Sequence, residues 1–210
     1  MYGKWTISLV FAIVAGVSGC ASMSEEECAL SDWSAIGYED GSRGYTSDRF
    51  GQHRKACAKH GYAADFGAYQ RGRTRGLEEF CRPGHAFTFG VNGGRYNGVC
   101  AAELEAGFIE AYQAGYQLYA MRSNVGNANA AIDARQRELR YAKERVTEIG
   151  VEIVSSDTTA EERVELLAEL KNLSERTGEL ESEIEQLVAE RARAEEELRQ
   201  YERTVAAYAY

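Results

Sequence analysis

From Leu104 onward, apolar residues recur in alternating steps of three and four along two stretches. One runs from Leu104, Gly107 and Ala111 to Ile149 and Ile153. The other runs from Leu166, Leu170 and Leu173 to Val205 and Tyr208. This is the seam spacing of long helices packed side by side. Between the seams lies Ser155-Ser156-Asp157-Thr158-Thr159, and Thr159 followed by Glu162 has the form of a capping box that opens a new helix. The pattern predicts an antiparallel helical hairpin (coiled coil) over residues 104–208, with a loop at about 154–158 and an arm roughly 70 Å long at the rise of an α-helix. With Ile153 opposite Thr159, Leu139 faces Leu173, Ile132 faces Leu180 and Ala114 faces Leu198. A register one heptad away keeps the same phases. Arg135 and Arg191 interrupt the seam and reach water by snorkelling. Gly126-Asn127 is the expected break in the first helix.

Upstream the pattern changes. An aromatic three residues before a glycine recurs as Tyr38-Glu-Asp-Gly41, Tyr69-Gln-Arg-Gly72 and Tyr112-Gln-Ala-Gly115. Glycine inside a helix costs up to about 1 kcal/mol against alanine. A repeated cost implies a repeated use, which is close approach by another helix or a ring where no Cβ stands. Helices are expected near 31–44, 50–60 and 65–81, with a long helix from Ala101. Gly90, Gly93-Gly94 and Asn97-Gly98 predict turns and a small hairpin between Cys81 and Cys100. The fold class that follows is mainly α. A small disulfide-bonded, Gly/Tyr-rich head of short helices (31–119) shares its last helix with the helical hairpin.

The first residues read differently again. Lys4 precedes an apolar run from Ile7 to Ala15, and Val17-Ser18-Gly19-Cys20 follows. The run is too short to span a bilayer and has the anatomy of a signal peptide. Its tail resembles the bacterial lipobox. The resemblance implies cleavage after residues 1–19 and acyl chains of the palmitate class on Cys20, with 20–30 as lipidated N-terminus and linker. Each buried CH₂ of such chains contributes about 0.8 kcal/mol to anchoring. Ala21 in place of an aspartate favours the outer membrane over the inner, by analogy with Gram-negative sorting. The alternative is an ordinary signal peptide that happens to end near a cysteine.

Four cysteines remain: Cys28, Cys57, Cys81 and Cys100. An even count in an exported chain implies two disulfides, with three connectivities open. Pairing of neighbours, Cys28 with Cys57 and Cys81 with Cys100, is the expectation, and a loop the size of the second gains about 3 kcal/mol in the chain-entropy picture. A rival use is zinc, because His53, Cys57 and His60 share one helical face. The even count argues against it, and no metal or cofactor is expected. His85, beside Pro83-Gly84, reads as a loop residue.

Charge narrows the partners. The 210 residues carry a net charge of −9. From Ala131 onward there are 20 acidic and 12 basic residues, so −8 of this lies on the tail. Such a balance argues against nucleic acid. Arg71, Arg73 and Arg75 form a basic patch that Glu78 and Glu79 can pair with at helical spacing.

One family resemblance is carried by the run Trp33-x-x-x-Gly37-x-x-Asp40-Gly41-x-x-Gly44, then Tyr69-x-x-Gly72-Arg73, Gly76-Leu77-x-x-Phe80-Cys81 and Tyr96-Asn97-Gly98-Val99-Cys100. Together they resemble a family of Gram-negative envelope lipoproteins known only as a domain of unknown function. The resemblance covers about residues 28–119 and implies an envelope location and a disulfide-bearing fold. It implies no activity. Many members end soon after this region, so the long tail is a departure.

The first functional expectation is a non-enzymatic outer-membrane lipoprotein facing the periplasm. It is held to the membrane through Cys20 and contacts an envelope protein through its helical arm. The second is a glycan- or peptidoglycan-binding module that uses Trp33, Tyr38, Tyr69, Phe87, Phe89 and Tyr96 as stacking platforms. The third is a hydrolase using Asp40 or Glu78-Glu79. No catalytic residue is assigned, because no spacing places two carboxyl groups across a cleft.

Overall fold

The computed structural model describes residues 23–206. Cys20, the segment before it and Tyr208 lie outside the described residues. Seven helices follow one another among the described residues, with no strand: α1 (Glu25–Ala29), α2 (Trp33–Ser42), α3 (Asp48–Ala58), α4 (Phe66–Phe80), α5 (Pro83–Val91), α6 (Ala102–Val154) and α7 (Ala160–Val205). The chain divides into two compact units between Leu77 and Glu78, near the end of α4. The head expected as one domain is therefore split, and its last part is grouped with the arm.

The first unit holds α1 to α3 and most of α4. Ser24 and Glu27 cap α1 reciprocally, and Asp32 caps α2 by accepting from Ser34 N and Ala35 N. Cys28 and Cys57 are bonded, with Cα atoms 5.3 Å apart. They lie in a core with Trp33 and Tyr69, packed by Met23, Ile36 and Phe50. The glycines do what their repetition predicts. A Cβ on Gly37 would overlap the Tyr69 carbonyl, one on Gly41 that of Arg73, one on Gly72 that of Ser34, and one on Gly76 that of Tyr38. So α2 and α4 touch backbone to backbone, which only glycine permits.

The second unit uses the same device. A Cβ on Gly90 of α5 would overlap the Tyr112 carbonyl, and one on Gly115 of α6 that of Phe87. Cys81 and Cys100 are bonded, with Cα atoms 5.7 Å apart. No strand of the expected hairpin forms between these cysteines, and helix α5 takes the first part of the span. Pro83 sits in its first turn, where its missing N–H costs nothing, and Gly90 serves the helix crossing rather than a turn. True turns come later, at Gly93 (φ 71°) and Gly98 (φ 65°), where the backbone is left-handed.

Helices α6 and α7 form the expected antiparallel hairpin. Thr159 and Glu162 make both bonds of the capping box. Ile132, Ala142, Ile149 and Leu180 are buried between the helices. Two details differ. α6 runs unbroken through Gly126, where a Cβ would meet nothing, so the glycine costs propensity but forces no break. Cross-helix partners scatter from the expected pairing along α7: Arg145 with Glu169 and Arg176 with Glu138 lie two residues from it, and Arg135 with Glu183, Arg191 with Asn129 and Arg122 with Glu202 lie six to twelve residues further on. Ser155 is extended, so the chain runs on past α6 before α7 begins. Arg163, in the first turn of α7, then donates to the Ser155 carbonyl.

Candidate functional site

The first unit has a polar centre. Asp40 on α2 is 6% exposed and His53 on α3 is 8% exposed. The fully buried Tyr69 on α4 is the third member. Its hydroxyl donates to Asp40 Oδ2 at 2.9 Å, and His53 Nε2 meets the same oxygen at 2.9 Å. The Nε of Arg49 lies 3.7 Å from Asp40 Oδ1, and its guanidinium stacks over Tyr45 at 4.8 Å. Three helices are thus tied to one carboxyl group. Burial, with Asp40 as acceptor and neighbouring charge, pushes the Tyr69 phenol well above its ordinary range. His53 Nδ1 is buried and has no hydrogen-bond partner among the described residues. The geometry orients an imidazole, and among the described residues no hydroxyl or thiol bonds that nitrogen.

His53 also lines a shallow groove of about 890 Å³ with Met23, Leu30, Ala35 and Ile36, rimmed by Glu26, Glu27 and Asp32. Glu27 is held below the usual carboxylate range by its bonds to Ser24, and Asp32 is occupied as the cap of α2.

The proposed stacking aromatics are mostly core. Trp33, Tyr69 and Phe87 are buried. Phe89 and Tyr96 are half-buried among Phe80, Phe108 and Tyr112. Only Tyr38 of the six is exposed, so no platform of coplanar rings forms. The zinc alternative fails at Cys57, whose sulfur is in a disulfide, and His60 is exposed. Among the described residues no group of three or more His, Cys, Asp or Glu side chains could hold a metal. His85 is exposed on α5, stacked near Phe80 and Phe89, rather than in a loop. The arginines of α4 also take other partners than expected. Arg73 donates to the Tyr45 carbonyl and Arg75 to Ser34 Oγ, while Glu79 pairs with Arg82.

The second unit presents the arm. Arg145 on α6 binds Glu148 and Glu152 on its own helix and Glu169 on α7. Arg176 on α7 binds Glu179 and Glu183 on its own helix and Glu138 on α6. These two clamps hold the arginines firmly protonated and draw Glu169 and Glu183 below the usual carboxylate range. Each guanidinium gathers three carboxylates, so the helices are pinned in register by geometry more than by net attraction. Beyond the clamps, at the tip, Val151, Val154, Val164 and Leu167 stand in solvent. They lie off the seam, and their i, i+3 spacing is visible in the sequence.

Residues 32–117 match a family described as protein of unknown function (DUF2799). The match covers the two glycine-crossed helix pairs and stops within α6, so the rest of α6 and all of α7 lie outside it. No curated protein and no solved structure matches the chain. No described helix is long and apolar enough to cross a membrane.

Proposed function

We propose that this chain is a non-enzymatic envelope lipoprotein of the outer membrane, anchored through acyl chains on Cys20 and working through α6–α7 as a protein-contact arm. The observation that carries this reading is the arm. Helices of 53 and 46 residues are about 80 and 70 Å long at 1.5 Å per residue, far more than the crossing with α5 requires. Their outward faces are charged, and paired clamps fix their register. A long, stiff, solvated hairpin is an economical way to present a contact surface away from a folded base. The lipobox-like residues before Cys20 support the anchor, and the two disulfides accord with an oxidising compartment.

Two experiments test the reading. Cys20→Ala should abolish labelling by a clickable fatty acid and release the chain from the membrane; unchanged anchoring would refute the lipid assignment. Photo-crosslinkers at exposed arm positions such as Tyr141 should capture the same envelope protein from several sites. No arm position giving a discrete adduct would refute the contact role. The glycan reading gains no support, because its aromatics form the core.

A further inference from the structure

We infer that the tip of the α6–α7 hairpin is a docking surface for a basic, amphipathic segment of another protein, one with an apolar face flanked by lysine or arginine. This rests on the reading of the hairpin as a protein-contact arm and names what it takes.

Two observations converge. The first is apolar. Val151 and Val154 on α6 are 67% and 79% exposed, and Val164 and Leu167 on α7 are 67% and 52% exposed. Single exposed apolar residues are ordinary on a surface. Here four lie at one end of the hairpin, each pair at helical i, i+3 spacing. None belongs to the seam that holds the helices together. A shallow hollow of about 550 Å³ lies against Val151, lined by Glu144, Thr147, Glu148 and Glu152.

The second is charge. Between Glu144 and Glu169 the chain carries eight carboxylates and only two arginines. Both arginines are engaged: Arg145 in its clamp, Arg163 on the Ser155 carbonyl. Glu144, Glu161 and Glu165 make no ion pair among the described residues. The tip therefore exposes apolar side chains of both helices among carboxylates. Complementarity selects the occupant. A second copy would bring carboxylates against carboxylates, and an anionic lipid surface would be repelled in the same way. A helix with an apolar face and cationic flanks satisfies both halves of the surface.

The test uses the full mature chain carrying Cys20→Ala. The probe is a labelled amphipathic helix of leucine and lysine, with its leucine–glutamate counterpart and a scrambled leucine–lysine isomer as controls. The lysine helix should bind about tenfold or more tightly than either control, and added salt should weaken it. Replacing Val151, Val154, Val164 and Leu167 with serine should weaken binding about tenfold while helical content stays constant. Glu144→Gln, Glu161→Gln and Glu165→Gln together should flatten the salt dependence. Equal binding of the three peptides, or binding indifferent to these changes, overturns the proposal. So does self-association or vesicle binding that is lost with the four serines, since the occupant would then be a second copy or a lipid surface. In cells, photo-crosslinkers at 154 and 167 should give the adduct. Adducts from Tyr141 alone would leave the arm reading standing and overturn the tip assignment; silence at every position would overturn both.

Discussion

The two units are variations on one plan, and the differences between them show what each has become. Gly37 follows Cys28 by the same interval as Gly90 follows Cys81. Tyr69 and Gly72 follow Cys57 as Tyr112 and Gly115 follow Cys100. In both units the first glycine lies on the carbonyl of the tyrosine, and a disulfide joins the segments that lead into the crossing helices. The tyrosine hydroxyls then part company. Tyr69 donates to the Asp40 carboxyl, which also holds His53 and lies beside Arg49, whereas Tyr112 donates to the Gly94 carbonyl at 3.0 Å. The position matching Asp40 is Gly93. No helix matches α3, and the disulfide loop is correspondingly shorter, spanning 19 residues against 29. The first unit has a titratable centre built by three helices. The second has an aromatic core and an extended second helix that becomes the arm. One crossing device supports two chemistries, so the glycines and cysteines report fold, and the residues around the tyrosine report specialisation.

The sharpest way to break the comparison is to open one disulfide at a time. In the chain-entropy picture the two loops differ by only a few tenths of a kcal/mol, and each bond contributes about 3 to 4 kcal/mol. The consequences should still differ. Cys28→Ser with Cys57→Ser should unfold the first unit, whose core is small, and Trp33 fluorescence should shift to that of an exposed indole. Cys81→Ser with Cys100→Ser should leave far-ultraviolet helicity largely intact, because α6 and α7 hold each other. Equal loss of helicity in both variants would mean that the units melt as one.

Glycine substitutions come next. Gly37→Ala and Gly90→Ala each place a methyl inside a backbone carbonyl contact, and each should destabilise its unit by about 3 kcal/mol, the upper range for overpacking. Gly126→Ala and Gly178→Ala meet nothing and should stabilise α6 or α7 by about 0.5 to 1 kcal/mol through helix propensity. Thermal melts followed by circular dichroism give both signs. Destabilisation at Gly126 would mean that the helix uses flexibility there.

The tyrosines differ by less. Tyr69→Phe removes a donor from a buried carboxyl group and should cost about 1.5 to 3 kcal/mol. Tyr112→Phe removes one from a backbone carbonyl and should cost about 0.5 to 1.5. The pH dependence separates them further. The Tyr69 phenol is raised above its ordinary 10.0 in the folded chain, so its contribution is complete below pH 10 and is lost as pH rises above that value. Tyr69→Phe should remove that alkaline decline from the Trp33-monitored transition. An unchanged decline would place it on other groups.

The elements legible in the sequence were those with local signals. The spacing of Tyr and Gly placed α2 and α4, the polar cap at Thr159 placed the start of α7, and cysteine parity with neighbour pairing gave both disulfides. α5 is hidden because Gly90 gives the signal of a turn, although the same close approach that explains Gly37 applies to it. The hairpin's seam was readable, but its register was not. Heptad phases repeat, and only partners met across the helices, such as Arg145 with Glu169 and Arg176 with Glu138, separate one register from the next. The site was legible only in pieces. His53 pointed to a metal, Asp40 to a hydrolase and Tyr69 to a stacking platform, because the meeting of α2, α3 and α4 at one carboxyl group is a tertiary fact.

The smallest effect concerns acid, and on the arm it runs in the opposite direction from the alkaline effect on the first unit. Glu169 and Glu183 are drawn below the usual carboxylate range, chiefly by hydrogen bonds from Arg145 and Arg176, and Glu162 by its bonds to Thr159. A carboxylate whose folded pKa is lowered stabilises the fold above its unfolded value, near 4.5. That stabilisation is lost as pH falls through the lower folded value. The arm should therefore lose stability progressively below about pH 4.5. The loss should be small, because all three groups are exposed and solvent and salt screen them. Arg145→Gln and Arg176→Gln together should flatten this acid limb in the far-ultraviolet signal and leave the Trp33 signal of the first unit unmoved. High salt should do the same more weakly. If the double variant keeps the wild-type acid limb, the clamps hold register alone, and acid sensitivity belongs to Glu196, held low by its bonds from Arg199 and Gln200, or to Glu162 in the cap at Thr159. Glu162→Gln would then decide between those two, because it removes the cap's charge and leaves Glu196 in place.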